Sequence, residues 1–157
     1  MNIEDYFFIQ GTYELKDGLY NVDGNIRLNK KVNKLPVNFG KVTGDFYCLN
    51  NSLTSLEGAP KQIDGDFDCS YNKLTSLKGS PKQVGGGFYC YYNNLTSLNG
   101  CPTHVGGNFD CYKNKLTTLE GCPKQIGDNF TCDYKLKRTK EYRQFKIIKK
   151  LKDVIFF

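Results

Sequence analysis

The chain has no tryptophan, one histidine, one methionine and five prolines in 157 residues. Its seven cysteines never fall at C-x-x-C spacing, and His104 stands alone, so a classical zinc site lacks its ligands. His104 also has no recognisable Ser or Cys partner, which leaves no nucleophile–base pair. No apolar run approaches the roughly 18 residues of a membrane-spanning helix. The opening Met1-Asn-Ile-Glu-Asp-Tyr-Phe-Phe lacks the basic flank and long apolar stretch of a secretory signal. These absences lead to the expectation of a non-enzymatic, cytoplasmic protein without metal or cofactor, its thiols kept reduced.

What is present is periodicity. Phe46-Tyr-Cys48…Asn51-Ser-Leu53-Thr-Ser-Leu56-Glu-Gly58-Ala-Pro60 returns from Phe67, Phe88 and Phe109. Leu53, Leu74, Leu95 and Leu116 are 21 residues apart, as are Leu56, Leu77, Leu98 and Leu119. Cys48, Cys69, Cys90, Cys111 and Cys132 keep the same interval, and Cys101 and Cys122 repeat it before two prolines. A period this strict defines a solenoid, in which each repeat covers its neighbour's apolar face. Val22-Asp-Gly24-Asn-Ile26-Arg-Leu28 is a degenerate first copy, with Val32 and Leu35 at leucine places. Strands are therefore expected at 26–28, 46–48, 67–69, 88–90, 109–111 and 130–132, about six rungs in a stack roughly 24 Å long.

Within a rung, the alternation of Phe-x-Cys sends Phe and Cys inward and the middle residue outward. Cysteine acts there as a small hydrophobe beside the ring. Asn51, Asn72, Asn93 and Asn114 follow each cysteine by three residues, where an inward amide can bond turn backbone. Twenty-one residues leave no room for a full helix, so the return side is expected to be extended or short 3₁₀ structure. Gly85-Gly86-Gly87 reads as a turn, since no Lys-Ser/Thr follows it.

The motif Phe-x-Cys-x-x-Asn-x-Leu-x-x-Leu is similar to the leucine-rich-repeat consensus, with Phe and Cys in place of its first two leucines. The fuller wording Leu-Thr-Ser-Leu-Glu-Gly-x-Pro-Lys-Gln-Val-Gly-Gly-x-Phe-x-Cys resembles small leucine-rich-repeat-like proteins encoded by bacteriophages. The likeness covers about residues 22–132. It implies a leucine-rich-repeat solenoid that binds a protein partner, and a phage origin would imply a host protein, inhibited or redirected, with defence components among the targets.

The flanks depart from the repeat. Residues 1–21 read as an N-terminal hairpin cap, with Thr12–Lys16 and Leu19–Val22 alternating around Asp17-Gly18. The solenoid is expected over 22–135 and a basic amphipathic helix over 136–157. That helix starts after Thr139 as N-cap, with Tyr142, Phe145, Ile148, Leu151 and Ile155 on one face and Val154–Phe157 beneath it. The net charge of +6 is divided unevenly. Residues 1–134 hold 13 basic and 14 acidic side chains, and residues 135–157 hold nine and two.

Two surfaces follow as candidates. The outward column Arg27, Tyr47, Asp68, Tyr89, Asp110, Thr131 runs beside Leu49, Ser70, Tyr91, Tyr112, Asp133 and then Tyr71, Tyr92, Lys113, Tyr134. Cross-strand tyrosines can stabilise a sheet face on their own. A lattice this dense of rigid amphipathic side chains favours protein recognition by Tyr47, Tyr71, Tyr89, Tyr91, Tyr92, Tyr112 and Tyr134, with Asp68 and Asp110 selecting a basic partner. Asp68 and Asp110 lie two rungs apart, roughly 10 Å, too far for a tight carboxylate dyad. The second surface is basic: Arg138, Arg143, Lys146, Lys149 and Lys150 would contact nucleic acid or a partner, or sit at a membrane surface. A monomer or a weak homo-oligomer is expected.

Overall fold

A computed structural model describes the backbone of residues 2–155 and the side chains of residues 2–150. The chain is a parallel β-solenoid of about five turns. It opens with an antiparallel hairpin, β1 (Phe7–Lys16) and β2 (Leu19–Leu28). The hairpin is longer than its Asp-Gly signal implied, because β2 is also the first rung. It crosses position 22, so hairpin and repeats share one continuous strand.

The other edge of β2 divides its pairing. Its first half pairs in parallel with β3 (Phe39–Val42) and its second half with β4 (Phe46–Tyr47). Every later rung preserves that division. Onto β3 stack β5 (Gln62–Ile63), β7 (Gln83–Val84), β9 (His104–Val105) and β11 (Gln125–Ile126). Onto β4 stack β6 (Phe67–Asp68), β8 (Phe88–Tyr89), β10 (Phe109–Asp110) and β12 (Phe130–Thr131). The β5 column is a second line of strands that periodicity did not show, because a two-residue strand contains no alternation. Between the columns the chain bends at Gly pairs where adjacent backbones touch. A Cβ on Gly106 would lie 1.9 Å from the Gly85 carbonyl oxygen, so a side chain there would force the two backbones apart.

The core is a set of ladders. Phe46, Phe67, Phe88 and Phe109 stack nearly parallel at 5.6, 5.3 and 5.8 Å between centroids, and Phe130 closes the column edge-on at 5.3 Å. Cys48 through Cys132, the two leucine columns, and Val42, Ile63, Val84, Val105 and Ile126 fill the rest. All seven cysteines are free thiols. Burial raises the thiols of Cys48, Cys69, Cys90 and Cys111 well above the ordinary range, consistent with packing groups.

The asparagines form the polar ladder. Asn93 Nδ2 donates to the carbonyls of Cys69 (3.0 Å), Cys90 (3.2 Å) and Tyr91 (3.4 Å), while its Oδ1 accepts from Leu74 N (2.9 Å). Asn72 and Asn114 repeat the arrangement on the preceding rungs' backbone. On the opposite turn, Ser55, Ser76 and Ser97 each accept the N–H two residues on, before a glycine at φ near +90°.

The far end is closed. A 3₁₀ turn over Tyr134–Arg138 buries Leu136, and α1 (Lys140–Ile155) follows with Thr139 Oγ1 accepting from Tyr142 N at 3.4 Å. Tyr142 and Phe145 pack on Phe130 at 5.5 and 5.4 Å. The expected helix face holds only in part: Ile148 is exposed, as is Ile147. The side chains of Leu151, Val154, Ile155, Phe156 and Phe157 lie outside the described residues. No described helix is long and apolar enough to cross a membrane.

Candidate protein-binding surface

The structure splits the predicted tyrosine–aspartate face into two parts. On the β4–β12 column the side chains lie down. Tyr47 Oη donates to Asp45 Oδ2 at 2.9 Å, and the Arg27 guanidinium sits 5.4 Å from its ring centroid. Burial, then the bond to Asp45, pushes the Tyr47 phenol up to about 12. Tyr89 lies over Gly87, where a Cβ would come within 2.5 Å of its hydroxyl. Both rings are half-buried.

Asp68 departs from the expectation of an outward anchor. It is buried, and its Oδ1 accepts from Ser70 N (2.9 Å) and Ser70 Oγ (2.5 Å). The reason is its neighbourhood: Tyr47 and Tyr89 flank it on adjacent rungs, and fully buried Ser70 is small enough for the carboxylate to fold back on it. Asp110 has Tyr112 at the equivalent place, accepts only the Tyr112 N–H (2.9 Å), and stays half-buried. Burial raises both carboxyls. A carboxyl raised in the fold is more costly to ionise there than in the unfolded chain, so these groups weaken the fold above their folded pKa. The loss is relieved as pH falls through it. Asp68→Asn, which keeps the Oδ1 acceptor, should raise the melting temperature at about pH 7, with the gain shrinking toward about pH 4. Thermal melts of both proteins across that range check this.

The second part stands up from the surface. Tyr71, Tyr92 and Tyr112 are exposed, Tyr91 is half-exposed, and Tyr134 is 74% exposed. Tyr71 and Tyr92 stack at 4.6 Å and 10°, with Tyr91 edge-on to Tyr71 at 5.4 Å and Tyr112 edge-on to Tyr92 at 6.3 Å. Lys113 Nζ lies 5.3 Å from the Tyr112 centroid. The backbone beneath is unusual: Asn50, Tyr71, Tyr92 and Lys113 have φ of +51, +52, +52 and +56°. Left-handed backbone suits Asn50 but costs a bulky L-residue about 1–2 kcal/mol. Lys113→Gly should therefore stabilise by about 0.5–1 kcal/mol in urea unfolding. The same change at Tyr92 should gain little, since its ring contacts contribute about 0.5–1.5 kcal/mol.

Beside the cluster a shallow cleft of about 540 Å³ lies between Tyr92, Lys113, Asn114, Asp133, Tyr134 and Lys135. Asp133 Oδ1 accepts from Lys113 N at 3.2 Å, while the buried Oδ2 has no hydrogen-bond partner among the described residues. A row that the sequence reading did not single out lies next to Tyr47: Asn25, Asp45, Asp66 and Asn108, one residue before each Phe or Ile. Their Oδ1 atoms accept the N–H of the next rung at 2.6–3.1 Å. Its signal was the recurrence of Asn or Asp at that one place.

Of the basic residues, Arg138, Arg143, Lys146 and Lys150 are exposed. Lys149 is half-buried and donates to the Asp128 carbonyl at 2.8 Å, so it fastens α1 to the last rung. Among the described residues no group of three His, Cys, Asp or Glu is placed to hold a metal. Neither a protein-family model, nor a curated protein, nor a solved structure matches the chain.

Proposed function

We propose that this protein is a non-enzymatic recognition module whose contact surface is the raised tyrosine cluster Tyr71, Tyr91, Tyr92, Tyr112 and Tyr134. One observation carries the reading: two tyrosines are held in left-handed backbone on a rigid ladder, although Asn, the residue that suits that backbone, occupies the same place one rung earlier. In a purely structural rung the ring contacts do no more than offset the cost of that backbone, whereas exposed, pre-oriented aromatic rings are the usual anchors of a protein interface. Tyr47 and Tyr89, half-buried and engaged, form the floor beside the cluster. Asp110 and the unpartnered oxygen of Asp133 favour a partner that brings Arg or Lys.

The repeat wording resembles that of leucine-rich-repeat-like proteins of bacteriophages, so the proposed partner is a bacterial host protein whose action is blocked or diverted in the host cytoplasm. Capture from bacterial lysate with nuclease present tests this. One stoichiometric protein, retained by the wild type and lost by a folded Tyr71→Ser/Tyr92→Ser variant, supports the reading. Equal capture by the variant refutes it. A second reading rests on the exposed Arg138, Arg143, Lys146 and Lys150: a nucleic-acid contact, which predicts capture that vanishes with nuclease and falls steeply with salt.

A further inference from the structure

The two ends of the solenoid are finished differently. The β12 end is covered by α1 through Phe130, Tyr142, Phe145 and Lys149. At the other end β1 pairs only with β2. Which of its backbone groups remain free follows from the hydrogen bonds. Tyr20 N and Ile26 N donate to the Asn38 and Asp45 carbonyls just before β3 and β4, and the Val22 and Gly24 carbonyls accept from Thr43 N and Gly44 N between those strands. The odd-numbered residues of β2 therefore face β1, and by register their partners are Phe8, Gln10, Thr12, Glu14 and Lys16. Tyr6 just before them agrees, its carbonyl accepting from Asn29 N. The N–H and C=O groups of Phe7, Ile9, Gly11, Tyr13 and Leu15 point away from the sheet. Among the described residues none of them takes a backbone hydrogen bond. Gly11 has no side chain to expose and is exposed, so its backbone is open.

Phe7 is buried, but from Ile9 onward the edge is open, and an open edge is a template for another strand that natural sheets blunt with short strands, prolines, bulges or several lysines. β1 has no proline, pairs without a bulge, and carries one lysine at its tip. It also exposes Phe8 (64%) and Leu15 (60%).

We propose that β1 pairs antiparallel with β1 of a second copy, joining two solenoids through one continuous sheet. The strand is self-complementary about Gly11. Pairing Gly11 with Gly11 of the second copy sets Ile9 opposite Tyr13, so that the accessible stretch Ile9–Tyr13 pairs with itself and buried Phe7 is not called on. On the other face Phe8 meets Glu14 and Gln10 meets Thr12, so no like charges oppose. A two-fold axis through Gly11 closes the assembly at two copies. It also leaves both tyrosine clusters free.

The test is mass by light scattering across about 5–200 μM, with amide exchange read residue by residue on the same samples. The wild type is expected at twice the monomer mass, with the Ile9, Gly11 and Tyr13 amides protected as the dimer forms. Tyr13→Pro removes one outward N–H and no bond to β2, a substitution edge strands tolerate. It should melt like the wild type yet shift to monomer, with the Ile9 and Gly11 amides exchanging freely. Should Tyr13→Pro melt early, Phe8→Lys with Leu15→Lys provides the second variant, expected to weaken dimerisation at least 10-fold. A wild type that stays monomeric overturns the proposal, whether or not the edge accepts a strand from another protein. A dimer in which those amides exchange freely overturns it as well.

Discussion

Phe88→Ala is expected to destabilise the protein by about 3–5 kcal/mol, the range for emptying a fully buried aromatic site. Phe88 is completely buried, 5.3 Å from Phe67 and 5.8 Å from Phe109, with both ring pairs nearly parallel. Collapse into the void is blocked by the ladder itself. Phe88 N donates to Asn108 O and Phe67 N to Gly87 O, both at 2.8 Å, so the rungs on either side are held at strand spacing. The cost should lie near the top of that range for this reason. In a solenoid each rung contacts only its neighbours, so a weakened middle rung also divides the cooperative unit. Urea unfolding should show a lower midpoint and a shallower slope, as the halves before and after Phe88 melt separately. Phe130→Ala at the end, where the ring is 7% exposed and α1 can settle inward, should cost less and keep a single transition.

Asn93→Ala should cost about 2–3 kcal/mol, for a different reason. The carboxamide serves three carbonyls and one N–H that no water reaches easily, and each buried polar group left unpaired costs about 1–3 kcal/mol. Alanine leaves Leu74 N unpaired, while the Cys69, Cys90 and Tyr91 carbonyls each fall back on one remaining donor, Asn72 Nδ2, Asn114 Nδ2 and Tyr71 N. Native-state hydrogen exchange should show Leu74 N opening faster than in the wild type, while amides two rungs away stay unchanged. Asn93→Asp gives the counter-test. A carboxylate still accepts from Leu74 N but faces carbonyls where Nδ2 donated, so the variant should be least stable near neutral pH and recover on acidification. No recovery would mean that the ladder matters through shape and not through its donors.

Much of this architecture could be read from spacing. A leucine, cysteine or phenylalanine recurring every 21 residues has one role, to cover the same place on the next rung. The burial of Phe46–Phe109, Cys48–Cys132 and the paired leucines was legible on that ground. The asparagine ladder was legible in kind, since an amide beside a turn must satisfy backbone, although its bonds run to the preceding rung. The candidate surface was legible only as a set of columns. Outward positions in a repeat are equivalent by sequence, yet Tyr47 lies down on Asp45 while Tyr92 stands up from left-handed backbone.

Residue spacing was enough to specify the period, the parallel stack, the composition of each core ladder and the change to a helix after Thr139. These depend on residue type at fixed intervals, and one residue type per column is enough to specify them. Packing between rungs, and not spacing, makes β2 at once hairpin strand and first rung, lays a second strand column along Gln62, Gln83 and Gln125, and turns Asp68 inward but not Asp110. Each of those outcomes depends on which side chains meet across adjacent rungs, a distance of one strand spacing in space but 21 residues along the chain.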